Sequence, residues 1–174
     1  MIIIGYQGIG KTTLCNNPNT LLKYIDLESS SFFNDDGLRP ENWYVYYCNV
    51  AEHLSKQGYS VFVSSHKVVR ERLAKSKEKV ICVFPSQKIK DDWIKRLENR
   101  YNSSKSDKDY RAWQNALSVF DSNISDLKSD VFPCIEINTM NYDLRDLIIG
   151  YEINTISSDI KEEMINNNIS AEGN

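Results

Sequence analysis

MIIIGYQGIGKTT, residues 1–13, decides the fold. Met1 to Ile4 is an unbroken apolar run, as expected of a strand buried on both faces. Behind it Gly5, Gly10, Lys11 and Thr12 fill every fixed position of GxxxxGK[ST], a strand-to-helix turn that holds phosphate. The glycines let the backbone wrap until its N–H groups converge at a helix N-terminus, where the helix dipole also favours an anion. Lys11 adds a compact positive charge for the β- and γ-phosphates, and the Thr12 hydroxyl is a ligand for the Mg²⁺ that bridges them. Gly8, Ile9, Gly10, Lys11, Thr12 and Thr13 are thus the candidate ATP-binding residues, with Mg²⁺ as the accompanying ion.

Beyond that turn, short apolar runs alternate with longer amphipathic ones, the pattern of strands joined by helical crossovers into a parallel sheet. Strands are expected at 1–4, 23–27, 59–64, 79–84 and 133–138. Helices are expected from Gly10 to near Pro18, from Pro40 to Gly58, over Lys67–Lys75, after an N-cap at Ser86, over Tyr110–Asp121 and over Tyr142–Ile149. The polar stretch NSSKSDKD, 102–109, reads as a mobile loop. The expectation is a three-layer α/β fold with a five-stranded, mainly parallel sheet over residues 1–150. A C-terminal helix or tail follows over 151–174, frayed at its Asn- and Ser-rich end.

Bulk properties set bounds on function. A chain of 174 residues suits one domain, and 41% hydrophobic with 26% charged residues describes an ordinary globular protein. A net charge of −3 and the lack of a continuous basic stripe argue against a nucleic-acid partner. No apolar run reaches the ~20 residues of a membrane span, and no secretory leader pattern is visible, so a cytoplasmic protein without a membrane partner is expected. Cys15, Cys48, Cys82 and Cys134 are widely spaced and read as reduced thiols rather than a zinc or redox site.

A phosphate loop alone does not name a reaction. The DxxG and NKxD segments of a GTPase are not visible, and the third strand ends VFVSSH without the carboxylate of an ordinary ATPase. The carboxylates lie instead in YIDLESSSF: strand alternation puts Asp26 and Glu28 on one face at the strand edge where ligands bind. Asp26 is the candidate for orienting the acceptor and for holding Mg²⁺ through water. In SFFNDDGLRPENWYVYY, residues 31–47, Arg39 is a candidate grip for an acceptor phosphate, and Phe33, Trp43, Tyr46 and Tyr47 are candidate stacking rings or core residues. Arg70 or Arg72, following the third strand, is a second candidate phosphate ligand, and His66 there reads either as a further acceptor contact or as a capping or packing residue.

In VFPSQKIKDDWIKRLENR, residues 83–100, Arg96 and Arg100 share one helical face, and Arg111 follows the polar stretch. This run of strand, Pro-Ser, RLxxR, polar segment and further arginine resembles the lid of P-loop nucleoside monophosphate kinases, above all the guanylate-kinase-like pattern. The compact size is similar to that of small kinases of bacterial viruses. The resemblance covers the phosphate loop and residues 83–111. It implies a lid over about 95–111, with Arg96, Arg100 and Arg111 binding nucleotide phosphates and Arg96 and Arg100 acting in catalysis with Lys11 and Asp26. It also implies transfer of the γ-phosphoryl of ATP to a nucleoside or deoxynucleoside monophosphate, by a monomer or homodimer whose partner is a small nucleotide. The acceptor segments of adenylate and guanylate kinases are missing, and Asp26 is more similar to the strand aspartate of shikimate- or gluconate-type kinases. Phosphorylation of a hydroxyl on a small metabolite or modified nucleoside, and nucleotide sequestration without transfer, therefore stay open. In the monophosphate reading Asp26, Arg39, Trp43 and Arg70 bind the acceptor.

Overall fold

The computed structural model describes residues 1–17, 23–35 and 37–172, with side chains described as far as residue 163. Pro18, the expected stop of the first helix, and the last two residues of the expected frayed end lie outside the described residues. Two compact units form, Met1–Asn141 and Tyr142–Asn174.

Five strands build the first unit: β1 (Ile2–Gly5), β2 (Tyr24–Asp26), β3 (Ser60–Ser64), β4 (Val80–Pro85) and β5 (Cys134–Ile137). All pairings are parallel, in the order β2-β3-β1-β4-β5, with Ile3 opposite both Phe62 and Ile81. The three isoleucines of β1 are completely buried, as are Val61 to Val63 and Ile81 to Val83, so the central strands are covered on both faces. That is why each reads as a continuous apolar run.

Helices α1 (Lys11–Cys15), α2 (Trp43–Lys56), α3 (Lys67–Leu73), α4 (Lys90–Ser104) and α5 (Asp107–Ser129) connect them. Right-handed crossovers place α1 on one face and the returning helices on the other, because only the β1-to-β2 step runs leftward in this order. Side-chain contacts agree: Cys48 Sγ of α2 lies 3.8 Å from the Val69 carbonyl of α3, and Arg70 of α3 bonds Asp130 at the end of α5. The result is an α/β fold with an all-parallel sheet. The four cysteines are free thiols; Cys48 and Cys82 are buried and Cys134 is exposed.

The expected loop at 102–109 is a helical corner instead. Only Lys105 and Ser106 separate α4 from α5. Lys105 takes a left-handed turn, φ 53°, and its N–H donates to Tyr101 O at 2.7 Å, closing α4. Ser106 caps α5 by accepting the Asp109 N–H at 3.2 Å, and Asp107 and Asp109 complement the helix dipole in its first turn. The polar residues that suggested a loop are helix caps.

In the second unit a single helix, α6 (Leu144–Glu172), runs through Gly150, where the sequence reading drew its boundary. Among the described residues no helix is long and apolar enough to cross a membrane.

Candidate functional site

The turn after β1 takes the wrapped form its glycines permit. Gly8 and Gly10 have φ of 84° and 93°, in the left-handed region that side chains disfavour. A Cβ at Gly5 would stand 2.8 Å from both Ile9 Cδ1 and Lys11 Cδ, and one at Gly8 would stand 2.9 Å from Leu97 Cδ2. Lys11 folds back over this turn and its Nζ donates to Gly5 O at 3.1 Å. Burial pushes the Lys11 ammonium below its ordinary value; Asp26 and Glu28 oppose that shift, and the charges of Lys108 and Arg100 add to it.

At the carboxyl edge of the sheet, Thr12 Oγ1 donates to Asp26 Oδ2 at 2.7 Å. The two residues expected to share a cation are therefore in contact. No cluster of three or more His, Cys, Asp or Glu side chains able to hold a metal forms among the described residues. A hydroxyl and a carboxylate suit Mg²⁺, which keeps several waters and completes its shell with substrate phosphates. The glycine cradle, an ammonium with donors to spare and the Thr12–Asp26 pair together fit a magnesium nucleotide.

Two helices hold the loop from above. Trp93 Nε1 of α4 donates to Gln7 O at 3.1 Å, and Gln7 Nε2 donates to Ala112 O of α5 at 2.8 Å and Asn115 Oδ1 at 3.2 Å. Arg96 lies over the Trp93 ring, 5.1 Å from its centroid. Arg100 pairs with Asp109, whose carboxylate also accepts from Ser104 Oγ at 2.5 Å while its backbone N–H donates to the Ser106 cap. Burial works against the charged carboxyl, yet Arg100 and these hydroxyls hold Asp109 below the usual carboxylate range. Arg111 is exposed on α5. Lys108, read in the sequence as part of a mobile loop, pairs with Glu28 just beyond β2.

A second group collects beside β2 and β3. The Arg39 guanidinium lies between the Phe33 and Trp43 rings, 4.5 and 4.2 Å from their centroids. It donates to Ser29 Oγ at 3.0 Å and lies 3.2 Å from His66 Nε2, while its Nε is buried without a partner. Burial lowers the Arg39 pKa, and no acidic side chain pairs with it among the described residues. His66 in turn lies 2.8 Å from Ser64 Oγ and is depressed by burial, then by the charges of Arg39 and Lys11. Tyr47 pins both strand ends: its hydroxyl donates to Leu27 O at 2.7 Å and accepts from Ser64 N at 2.8 Å.

Lys11, Thr12, Asp26 and the Arg39 group thus share the carboxyl edge of the sheet, with α4 and α5 above the loop. Arg70 is not brought to them: it is 7% exposed and its guanidinium is committed to Asp130, Ser65 O and Asp126 O. Arg72 bonds Glu52 and Asn49 on α2. Trp43 is 7% exposed, and its ring packs Arg39, Tyr47 and His66 rather than an open face. Tyr46 is 66% exposed. His66, which follows the third strand and reads either as an acceptor contact or as packing, lies beside the site through Arg39. No family model matches the chain, and no curated protein matches it.

Proposed function

We propose that the chain is a phosphotransferase moving the γ-phosphoryl of ATP to a nucleoside or deoxynucleoside monophosphate, with the architecture of a P-loop kinase. The observation that carries this reading is Arg39, a half-buried guanidinium held against two rings with no carboxylate partner among the described residues, at the same sheet edge as Lys11 and Thr12. Such a group is preorganised for an oxyanion, and a monophosphate acceptor brings one.

In this reading the loop amides and Lys11 bind the donor phosphates, and Thr12 with Asp26 holds the cation. Mg²⁺ supplies charge neutralisation between the donor phosphates. Arg39, oriented by Ser29, His66, Phe33 and Trp43, grips the acceptor phosphate. The lid is the α4–α5 corner, where Trp93 and Gln7 tie the helices to the loop and help exclude water. The Thr12 hydroxyl on Asp26 supports a cation-holding role for that carboxylate over that of a general base for a hydroxyl acceptor.

The test is incubation with Mg-ATP and each nucleoside or deoxynucleoside monophosphate in turn, with products resolved by chromatography. One monophosphate should yield ADP and its diphosphate, Lys11→Ala should abolish turnover, and Arg39→Ala should raise the acceptor KM with ATP binding unchanged. Nucleotide binding with no ADP from any acceptor would leave a sequestering protein. Loss through Asp26→Asn with no effect of Arg39→Ala would favour a hydroxyl acceptor.

A further inference from the structure

We propose that Glu28 and Lys108 form an exchangeable latch, in which Lys108 leaves Glu28 to contact the phosphate chain of a bound nucleotide. The inference rests on the preceding reading only in requiring that nucleotide bind the loop.

Position is the first argument. Lys108 lies one turn before Ala112 and two before Asn115, the residues of α5 that Gln7 touches, so it belongs to the face of that helix turned toward the loop. Its partner Glu28 stands two residues beyond Asp26, which accepts the Thr12 hydroxyl. The pair therefore bridges the corner helices and the sheet edge beside the cradle. Lys108 also counts among the charges that oppose the Lys11 ammonium.

The ease of exchange is the second argument. Lys108 and Glu28 are 59% and 39% exposed, and an ion pair so open to water contributes little to stability. Arg100 is different: its partner Asp109 is 8% exposed and its carboxylate also accepts from the Ser104 hydroxyl, so withdrawing the guanidinium would leave a buried carboxylate short of its counter-charge. Of these two cations at the corner, Lys108 is the one free to change partners. A phosphate, with more charge and more acceptor oxygens than one carboxylate, is the stronger partner. Glu28 then acts as an internal competitor, holding the ammonium at the rim and weakening nucleotide binding.

Calorimetric titration of the full chain with ATP and ADP in Mg²⁺ tests this. Lys108→Ala should weaken ATP binding by roughly ten- to hundred-fold, the scale of a charge-assisted hydrogen bond. Glu28→Gln should tighten it by about two- to five-fold, the scale of an exposed ion pair. In the double variant the Glu28→Gln gain should vanish, because it acts through Lys108. Wild-type affinity in Lys108→Ala overturns the inference. So does a Glu28→Gln gain that persists without Lys108, since Glu28 would then act by its own repulsion. A wild-type chain that binds neither nucleotide removes the cradle reading as well, whereas binding without transfer to any acceptor removes the phosphotransferase alone.

Discussion

Replacing Gly8 by alanine tests whether α4 holds the phosphate loop in shape. Two costs follow from the structure. With φ at 84°, a side chain at this position meets the left-handed penalty of about 1–2 kcal/mol. The new Cβ also stands 2.9 Å from Leu97 Cδ2, and Leu97, only 1% exposed, must leave its rotamer well at a further cost of about 1 kcal/mol. The sum, about 2–3 kcal/mol, corresponds to a fall in Tm of roughly 4–12 °C for a chain of this size. Gly10→Ala is the control: its φ is 93° but the added Cβ meets no non-neighbouring atom of the described residues within 4 Å, so only the backbone penalty applies. Gly8→Ala should therefore melt about 2–4 °C below Gly10→Ala. Combined with Leu97→Ala, the excess cost should disappear even though that truncation is itself destabilising by about 2–5 kcal/mol. Equal melting of the two glycine variants, or an excess that survives without Leu97, would refute the packing of α4 on the loop.

Tyr47→Phe should lower Tm by roughly 2–12 °C in a thermal melt, because Leu27 O and Ser64 N lose a shared buried partner worth about 1–3 kcal/mol. Asp130→Ala should cost about 3 kcal/mol in urea unfolding, since Arg70 is left buried with only carbonyl partners. Asp109 has a depressed folded pKa, so its contribution is present above the unfolded carboxylate value of about 3.9 and is lost as pH falls through the folded value. Asp109→Asn should accordingly melt below wild type at neutral pH, and the gap should close as the melts are repeated below about pH 4.

Strands and loop were legible because each depends on local sequence. Ile2 to Ile4 and Ile81 to Val83 announce burial on both faces, and Gly8 and Gly10 occupy a turn whose left-handed backbone favours glycine. The α4–α5 corner was misread because composition does not separate a polar loop from a pair of caps; Ser106 followed three residues later by Asp109 was the available clue. Arg70 was misplaced for a different reason. Its fate depends on Asp130, sixty residues away, and no periodicity in α3 reports that meeting. Trp43 likewise became a wall for Arg39, a contact that the helical spacing of α2 does not report.

The hydrogen bond from Trp93 to the Gln7 carbonyl makes an optical probe part of the loop itself. Indole emission responds to the polarity around its ring nitrogen, so any rearrangement of residues 6–10 registers in the fluorescence of one chromophore. With Trp43 and Trp113 replaced by phenylalanine, the remaining signal would follow the motion of the loop in real time by stopped flow, without an attached dye.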